Sequence, residues 1–405
     1  MSERNEETGE VRPEAVADEK HRRRGMFFLG LAVAWVGITM AMQMGLNANF
    51  LADDIKVTGS QLGLLEAARE SCGVLALGVL AILAGFAEPL VAAGMLVLLA
   101  AGISCYYGVH EFSWLVPASL VWSLGLHVWM PLPNSIALAL AEPGRSGQRL
   151  GQIQGAGAGG FGLGLAIAWT LTMAGVPMRP LYLGAAGAAM LGAGMCLLIP
   201  RKIKTPGPRL VFKRKYGLYY ALNLLEGWRK QISICFAGFL LVRQYHTPLA
   251  RLLVLMGAVQ AIGYFASPAV GRLIDRVGER KVLVFYYLCL TAFFVGYATI
   301  RQPWALYAIY VVDNAFFVFA MSLVTYVNRI APKRELTLTL SMGVAMNHVA
   351  AVTMPLVGGL LWVTLGYQYA FLLGVAAALL SVLAALRVPK HMPATTRPPF
   401  VPSEY

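Results

Sequence analysis

Two short stretches hold ionisable side chains close enough together to do chemistry: "LLEAARES", with Glu66, Arg69 and Glu70, and "YYALNLLEGWRKQIS", with Glu226, Arg229 and Lys230. On a helix, residues three and four apart share a face, so each carboxylate lies within reach of a cation. Both clusters interrupt apolar runs, in a chain that is 58% hydrophobic and only 13% charged. An ionised group at mid-bilayer costs about 2.5–3.5 kcal/mol on insertion scales, and is tolerated where it faces protein or water. The chemistry on offer is attraction of a charged solute and exchange of protons. Arg69, Arg229 and Lys230 are candidates for drawing in an anionic group, with Asn223 and Asn347 as neutral partners, while Glu66, Glu70, Glu226 and Asp313 are candidates for proton coupling. The competing reading is a set of ion pairs that only hold helices in register.

The elements that must position these groups are membrane spans. A soluble domain carries about 25% charged residues, whereas apolar runs of roughly 20 residues, enough to cross about 30 Å of hydrocarbon, recur along this chain. Twelve are expected, at 26–48, 61–84, 89–109, 114–139, 150–173, 180–200, 216–243, 251–270, 281–300, 303–328, 338–362 and 368–387, numbered here helix one to helix twelve. They are continuously apolar and lack a ten-residue alternation, so the fold class is an all-α membrane protein rather than a barrel. Residues 1–25 and 389–405 read as polar tails. The basic, proline-containing stretch 201–215 reads as a linker between a bundle over 26–200 and a second over 216–388, six helices each.

Lys and Arg alternate by loop, 23 on the side of the tails and linker against 5 on the other. By the positive-inside rule both termini are expected in the cytoplasm of a cell whose inner membrane holds the chain. The net charge of +13 is therefore a topology signal, and no nucleic-acid partner is expected. The five cysteines fall within spans and read as structural thiols. No "GxxxxGK[ST]" loop and no Cys/His ligand set is present, so no ATP-driven step, metal, cofactor or enzymatic activity is expected. His127 in helix four and His348 in helix eleven read as hydrogen-bonded packing residues. Asn47 and Asn49, Gln231, Gln260 and Asn314 add polar groups to helices one, seven, eight and ten.

The turn after helix eight, "GRLIDRVGERKVL", resembles the loop signature G-x-L-x-D-R-x-G-R-[KR] of the major facilitator superfamily through Gly271, Leu273, Asp275, Arg276, Gly278, Arg280 and Lys281. Glu279 stands where the pattern has its first closing base, and the first-half counterpart "GFAEPL" has lost most of the pattern. Physically, Gly271 removes a side chain where helix ends pass, Asp275 accepts from amides or an arginine, and Gly278 permits a tight turn, so Gly271, Asp275, Arg276, Gly278 and Arg280 form a candidate conformational latch. Helix five opens with "GQIQGAGAGG", which resembles the antiporter motif G-x-x-x-G-P-x-x-G-G at Gly151, Gly155, Gly159 and Gly160, with Ala156 in place of proline, and "PLVGG" from Pro355 is its counterpart in helix eleven. These are candidate helix-packing positions. Helix four shows "VWSLG" where the superfamily has "RxxQG". The resemblance implies two pseudo-symmetric six-helix bundles and a proton-coupled secondary transporter acting as a monomer, with export of a small organic solute favoured by helix five. Proton-coupled uptake of an organic anion, or a non-transporting membrane sensor or assembly factor on the same bundle, are the alternatives.

Overall fold

The computed structural model describes residues 19–142, 145–204 and 212–390, and among them the chain is helical with a single isolated bridge, Ala87 to Lys204. Helix one runs Glu19–Asp54, helix two Gly59–Ile82, helix three Glu88–Cys105, helix four Phe112–Leu140, helix five Ser146–Met173 and helix six Met178–Leu197. Helix seven is built from Gly217–Ile232, Ser233–Ala237 and Gly238–Arg243, followed by helix eight at Leu249–Val277, helix nine at Glu279–Thr299, helix ten at Pro303–Ile330, helix eleven at Lys333–Thr364 and helix twelve at Tyr367–Ala385. Ten of these are long and apolar enough to cross a membrane, and the two others, helices two and seven, are those that carry the three-residue charge clusters. Residues 1–18 and 391–405 of the expected tails and 205–211 of the linker lie outside the described residues, and 19–25, expected in the first tail, open helix one.

Local chemistry sets the boundaries. Thr58 caps helix two with a reciprocal pair, its hydroxyl accepting from Gln61 N at 3.2 Å while Gln61 Oε1 accepts from Thr58 N at 2.9 Å. Pro89 and Pro303 sit in first turns, where a missing N–H costs nothing. Helices one, four, seven and ten are each interrupted: by wide π turns at Phe50–Asp54 and Ser233–Ala237, by a break at Met130–Pro131, and by a tight 3₁₀ turn at Phe316–Ala320. These are the first members of four successive three-helix units, the arrangement expected of internal repeats. Each interruption frees backbone groups and re-aims side chains inward.

Helices two and eleven join the halves at the end of the bundle where helix one finishes, here the far end; the opposite end, where helix one begins, is the tail end. A Cβ on Gly63 would overlap the carbonyl oxygen of Pro355, and one on Gly359 would overlap that of Gly59. Such approach is open only to glycine, and gives dispersion contacts that lipid cannot replace. Asn49 Nδ2 donates to the Thr247 carbonyl at 3.1 Å, and Arg243 donates to the Ala52 carbonyl at 3.3 Å, tying helix one to helix seven. Among the described residues, every hydrogen bond joining the halves lies between the far end and the level of His348. Of the expected packing positions, Gly160 presses on the Ala34 carbonyl of helix one and Pro355 receives Gly63. Gly151, Gly155 and Gly159 face open space, because the tail-end part of helix five has no neighbour close enough to need a bare backbone.

Replacing Gly63 by Ala should therefore cost about 1–3 kcal/mol through overpacking, read as a lower unfolding temperature of the detergent-solubilised protein. Gly155→Ala should stay within about 0.5 kcal/mol of the parent or stabilise it.

Candidate functional site

Helix two turns its cluster inward. Arg69 Nη1 lies 2.5 Å from Glu66 Oε1, with side-chain exposures of 15% and 5%, so neither faces lipid. The guanidinium sits over the Trp122 ring at 4.3 Å, and Trp122 Nε1 donates to Tyr106 OH at 3.0 Å. Ser123 Oγ donates to the Arg69 carbonyl at 2.8 Å, locking helix four against helix two. Helix seven holds the matching pair, Arg229 with Glu226, fully inside the second half. Tyr286 OH donates to Glu226 Oε1 at 3.1 Å, while Phe317 covers the guanidinium at 4.7 Å. Asp313 is buried beside Tyr297 OH at 3.5 Å, again within the second half. Lys230 points the other way, donating to Asn347 Oδ1 at 2.8 Å, and Asn347 Nδ2 reaches the Asn223 carbonyl at 3.4 Å.

Among the described residues, one salt-bridge contact crosses between the halves. His348 Nδ1 of helix eleven lies 3.1 Å from Glu70 Oε2 of helix two, over Gly73, where a Cβ would strike the imidazole. His127 of helix four stacks edge-on against His348 with ring centroids 5.2 Å apart, and its Nδ1 is 2.8 Å from the Ser123 carbonyl. One ligand atom from each of Glu70, His127 and His348 falls within 4.8 Å of the others. Such a group can share a proton, and its donor types suit a borderline divalent metal ion. Both histidines are hydrogen-bonded and packed, and the partner of His348 is a carboxylate in the other half, a pairing for which the sequence carries no signal.

A cavity of about 260 Å³ lies on the far-end side of this ionic layer, between helices one, two, five, seven, eight and ten. Its polar wall groups are Asn47, Gln260, Asn314, Tyr310 and Ser233, and Phe161, Phe239, Phe317, Met44 and Met256 supply much of the rest. None of Arg69, Arg229 and Lys230 is part of that wall. Three of the four helix interruptions contribute to it, through Leu51, Ser233 to Cys235, and Phe317. The apolar members could not be picked out beforehand, since a cavity-facing Phe and a lipid-facing Phe look alike in sequence. The Tyr219 ring packs on Gly343, and Asn49 belongs to the far-end tie.

The turn after helix eight differs in detail from its expected latch. Gly278 has φ +89°, as a tight turn requires, but the space beside Gly271 is open and Asp275 is 77% exposed, 3.9 Å from Arg329. Arg329, at the end of helix ten, lies with Nε 2.5 Å from the buried Glu279. The acid that departs from the signature is therefore the one that anchors the turn. Arg276 is exposed and Arg280 half-buried. Glu88 opens helix three as Glu279 opens helix nine, both fully buried in a first turn, where helix amides favour negative charge. A further clamp at the tail end joins the linker to helix eleven: Glu335 receives Lys215 at 2.6 Å, Tyr216 OH at 2.7 Å and Lys213 at 3.1 Å. These hydrogen bonds hold its carboxyl down at about 2.

Residues 221–403 match the sequence profile of the Major Facilitator Superfamily. The solved nucleoside transporter NupG shares 15% identity at a TM-score of 0.72, over 89% of this chain and 98% of that one. A bacterial homologue of the human lysosomal transporter Spinster, in an inward-facing, unoccupied conformation, shares 12% at 0.74, over 91% and 97%. A D-xylose-proton symporter shares 12% at 0.67, over 90% and 98%. No curated protein sequence matches the chain. Fold and site together define a multi-pass α-helical membrane protein with a transporter architecture. The family match covers the second half of the chain, and the fold over nearly the whole chain is shared with these solved transporters.

Because Glu335 ionises far below the ordinary carboxylate value of 4.5, its clamp is at full strength above that pH and is lost as pH falls toward 2. Glu335→Gln should speed tryptic cleavage at Lys213 and Lys215 at pH 7 to 8, and mild acidification of the parent protein to pH 5 should not loosen the linker.

Proposed function

We propose that the chain is a secondary active transporter that moves a small organic solute across the cytoplasmic membrane by alternating access, with protons as the coupling ion. The observation that carries this reading is the pairing of two bundles joined at the far end, with no hydrogen bond between them on the tail side among the described residues, and enclosing a cavity on the far-end side of the ionic layer. With the basic loops on the tail side, that end is cytoplasmic and this is an inward-facing state. Rocking the halves the other way would release the glycine seam of helices two and eleven and reach the cavity from outside.

Glu70 and His348 are suited to proton coupling because their contact spans the two moving bodies, whereas Glu66, Glu226 and Asp313 are held inside one half. Separation leaves a carboxylate without its partner in a low-dielectric wall, which favours taking up a proton. Export is favoured by the glycine series of helix five. Uptake of an organic anion has less support, since Arg69 and Arg229 face carboxylates and Lys230 faces an amide.

Proteoliposomes holding a trapped pH-sensitive dye and challenged with a panel of solutes test this. At least one solute should drive proton movement, and Glu70→Gln or His348→Gln should reduce it tenfold or more while solute exchange without a gradient persists. Proton movement unchanged in both variants would remove the pair from the mechanism, and the absence of solute flux across a broad panel would remove transport itself.

A further inference from the structure

We propose that the central cavity selects an electrically neutral, hydrogen-bonding solute, held by the carboxamides of Asn47, Gln260 and Asn314; the proposal names the cargo of the transport reading and rests on it. The wall holds no ionisable carboxylate, ammonium, guanidinium or imidazole. An anion or cation entering it would shed water with no counter-charge to replace it, a penalty far above that of a neutral polar molecule. The charges nearby on helices seven and two are already engaged: Phe317, which lines the cavity, covers the Arg229 guanidinium at 4.7 Å, Lys230 donates to Asn347 Oδ1 at 2.8 Å, Glu66 pairs with Arg69, and Glu70 meets His348 at 3.1 Å.

The amides are poised in complementary senses. Asn314 Nδ2 donates to the Tyr310 carbonyl at 2.8 Å, which leaves Oδ1 to accept from a ligand. Asn47 Oδ1 faces Gln43 Nε2 at 3.5 Å, which leaves the Asn47 NH₂ group to donate. Asn47 belongs to the first half and Asn314 and Gln260 to the second, so a ligand offering an acceptor and a donor bridges the two moving bodies. The volume of about 260 Å³ sits at the small end of ligand pockets. The phenyl rings of Phe161 and Phe317 add flat apolar surface for a ring or a sugar face.

The test is direct binding to the full-length protein in nanodiscs, by calorimetry, with solute pairs matched in shape and differing in charge: uridine and uridine-5′-carboxylate, nicotinamide and nicotinate, D-glucose and D-glucuronate. At least one neutral member should bind, with its anionic partner at least tenfold weaker. Asn314→Leu and Asn47→Leu should each weaken the neutral ligand about tenfold, consistent with one or two lost hydrogen bonds. Anionic members binding better than their neutral partners, no neutral member binding, or neutral binding untouched in both folded variants would each overturn the proposal. The comparison within pairs uses the parent protein, so it stands even if a variant fails to fold. Neutral binding without flux in proteoliposomes would sink transport and leave the cavity's selectivity intact; flux of anions alone would do the reverse.

Discussion

Hydrocarbon cannot solvate an ion, and this fixes where the charges of helices two and seven go. Each must turn toward protein or water and find an opposite charge or a ring of donors, and both do: Arg69 with Glu66 beneath Trp122, and Arg229 with Glu226 beneath Phe317. Burying a pair costs desolvation that its Coulomb energy only partly offsets. Each pair lies within one helix, so neighbouring helices meet it through further groups. Ser123 bonding the Arg69 backbone and Tyr286 bonding Glu226 extend each pair into a rigid body, one per half.

Against that rigidity, the contacts between halves are of a different kind. They are glycine-on-carbonyl approaches, a few hydrogen bonds to backbone oxygens, and one carboxylate–imidazole contact. Backbone seams of this type are tight while closed yet hold no buried ion pair that separation would strand, apart from Glu70 with His348. Two stiff bodies with a modest seam have the energetics of a bistable element rather than of a continuously deformable one. The ionic layer lies on the tail side of a cavity whose described wall carries no charged side chain.

Helix interruptions supply the cavity's shape. An uninterrupted helix offers one apolar stripe, whereas the π turn at Ser233–Ala237 and the 3₁₀ turn at Phe316–Ala320 shift the register by a fraction of a turn and expose side chains that would otherwise pack on a neighbour. Ser233, Cys235 and Phe317 reach the cavity from these turns. Nothing in "ISICFAG" or "NAFFVFA" marks them as breaks, since each is as apolar as the helices around it and lacks proline.

Span number, all-helical class and the location of the charge clusters were legible in the residues, because the cost of exposing backbone and charge to lipid is a local property of each segment. The same holds for Gly278, whose turn needs a positive φ, and for Glu66 and Glu226, whose partners sit three residues away on the same helix. Contacts between distant segments were not legible. Glu70 with His348, Asn49 with Thr247, Arg329 with Glu279 and the seam of Gly63 on Pro355 join residues separated by 50 to nearly 300 positions. Composition says that a polar group needs a partner; only the packing of the two halves decides which one it finds, and hence which charges are held inside one half and which lie between the halves.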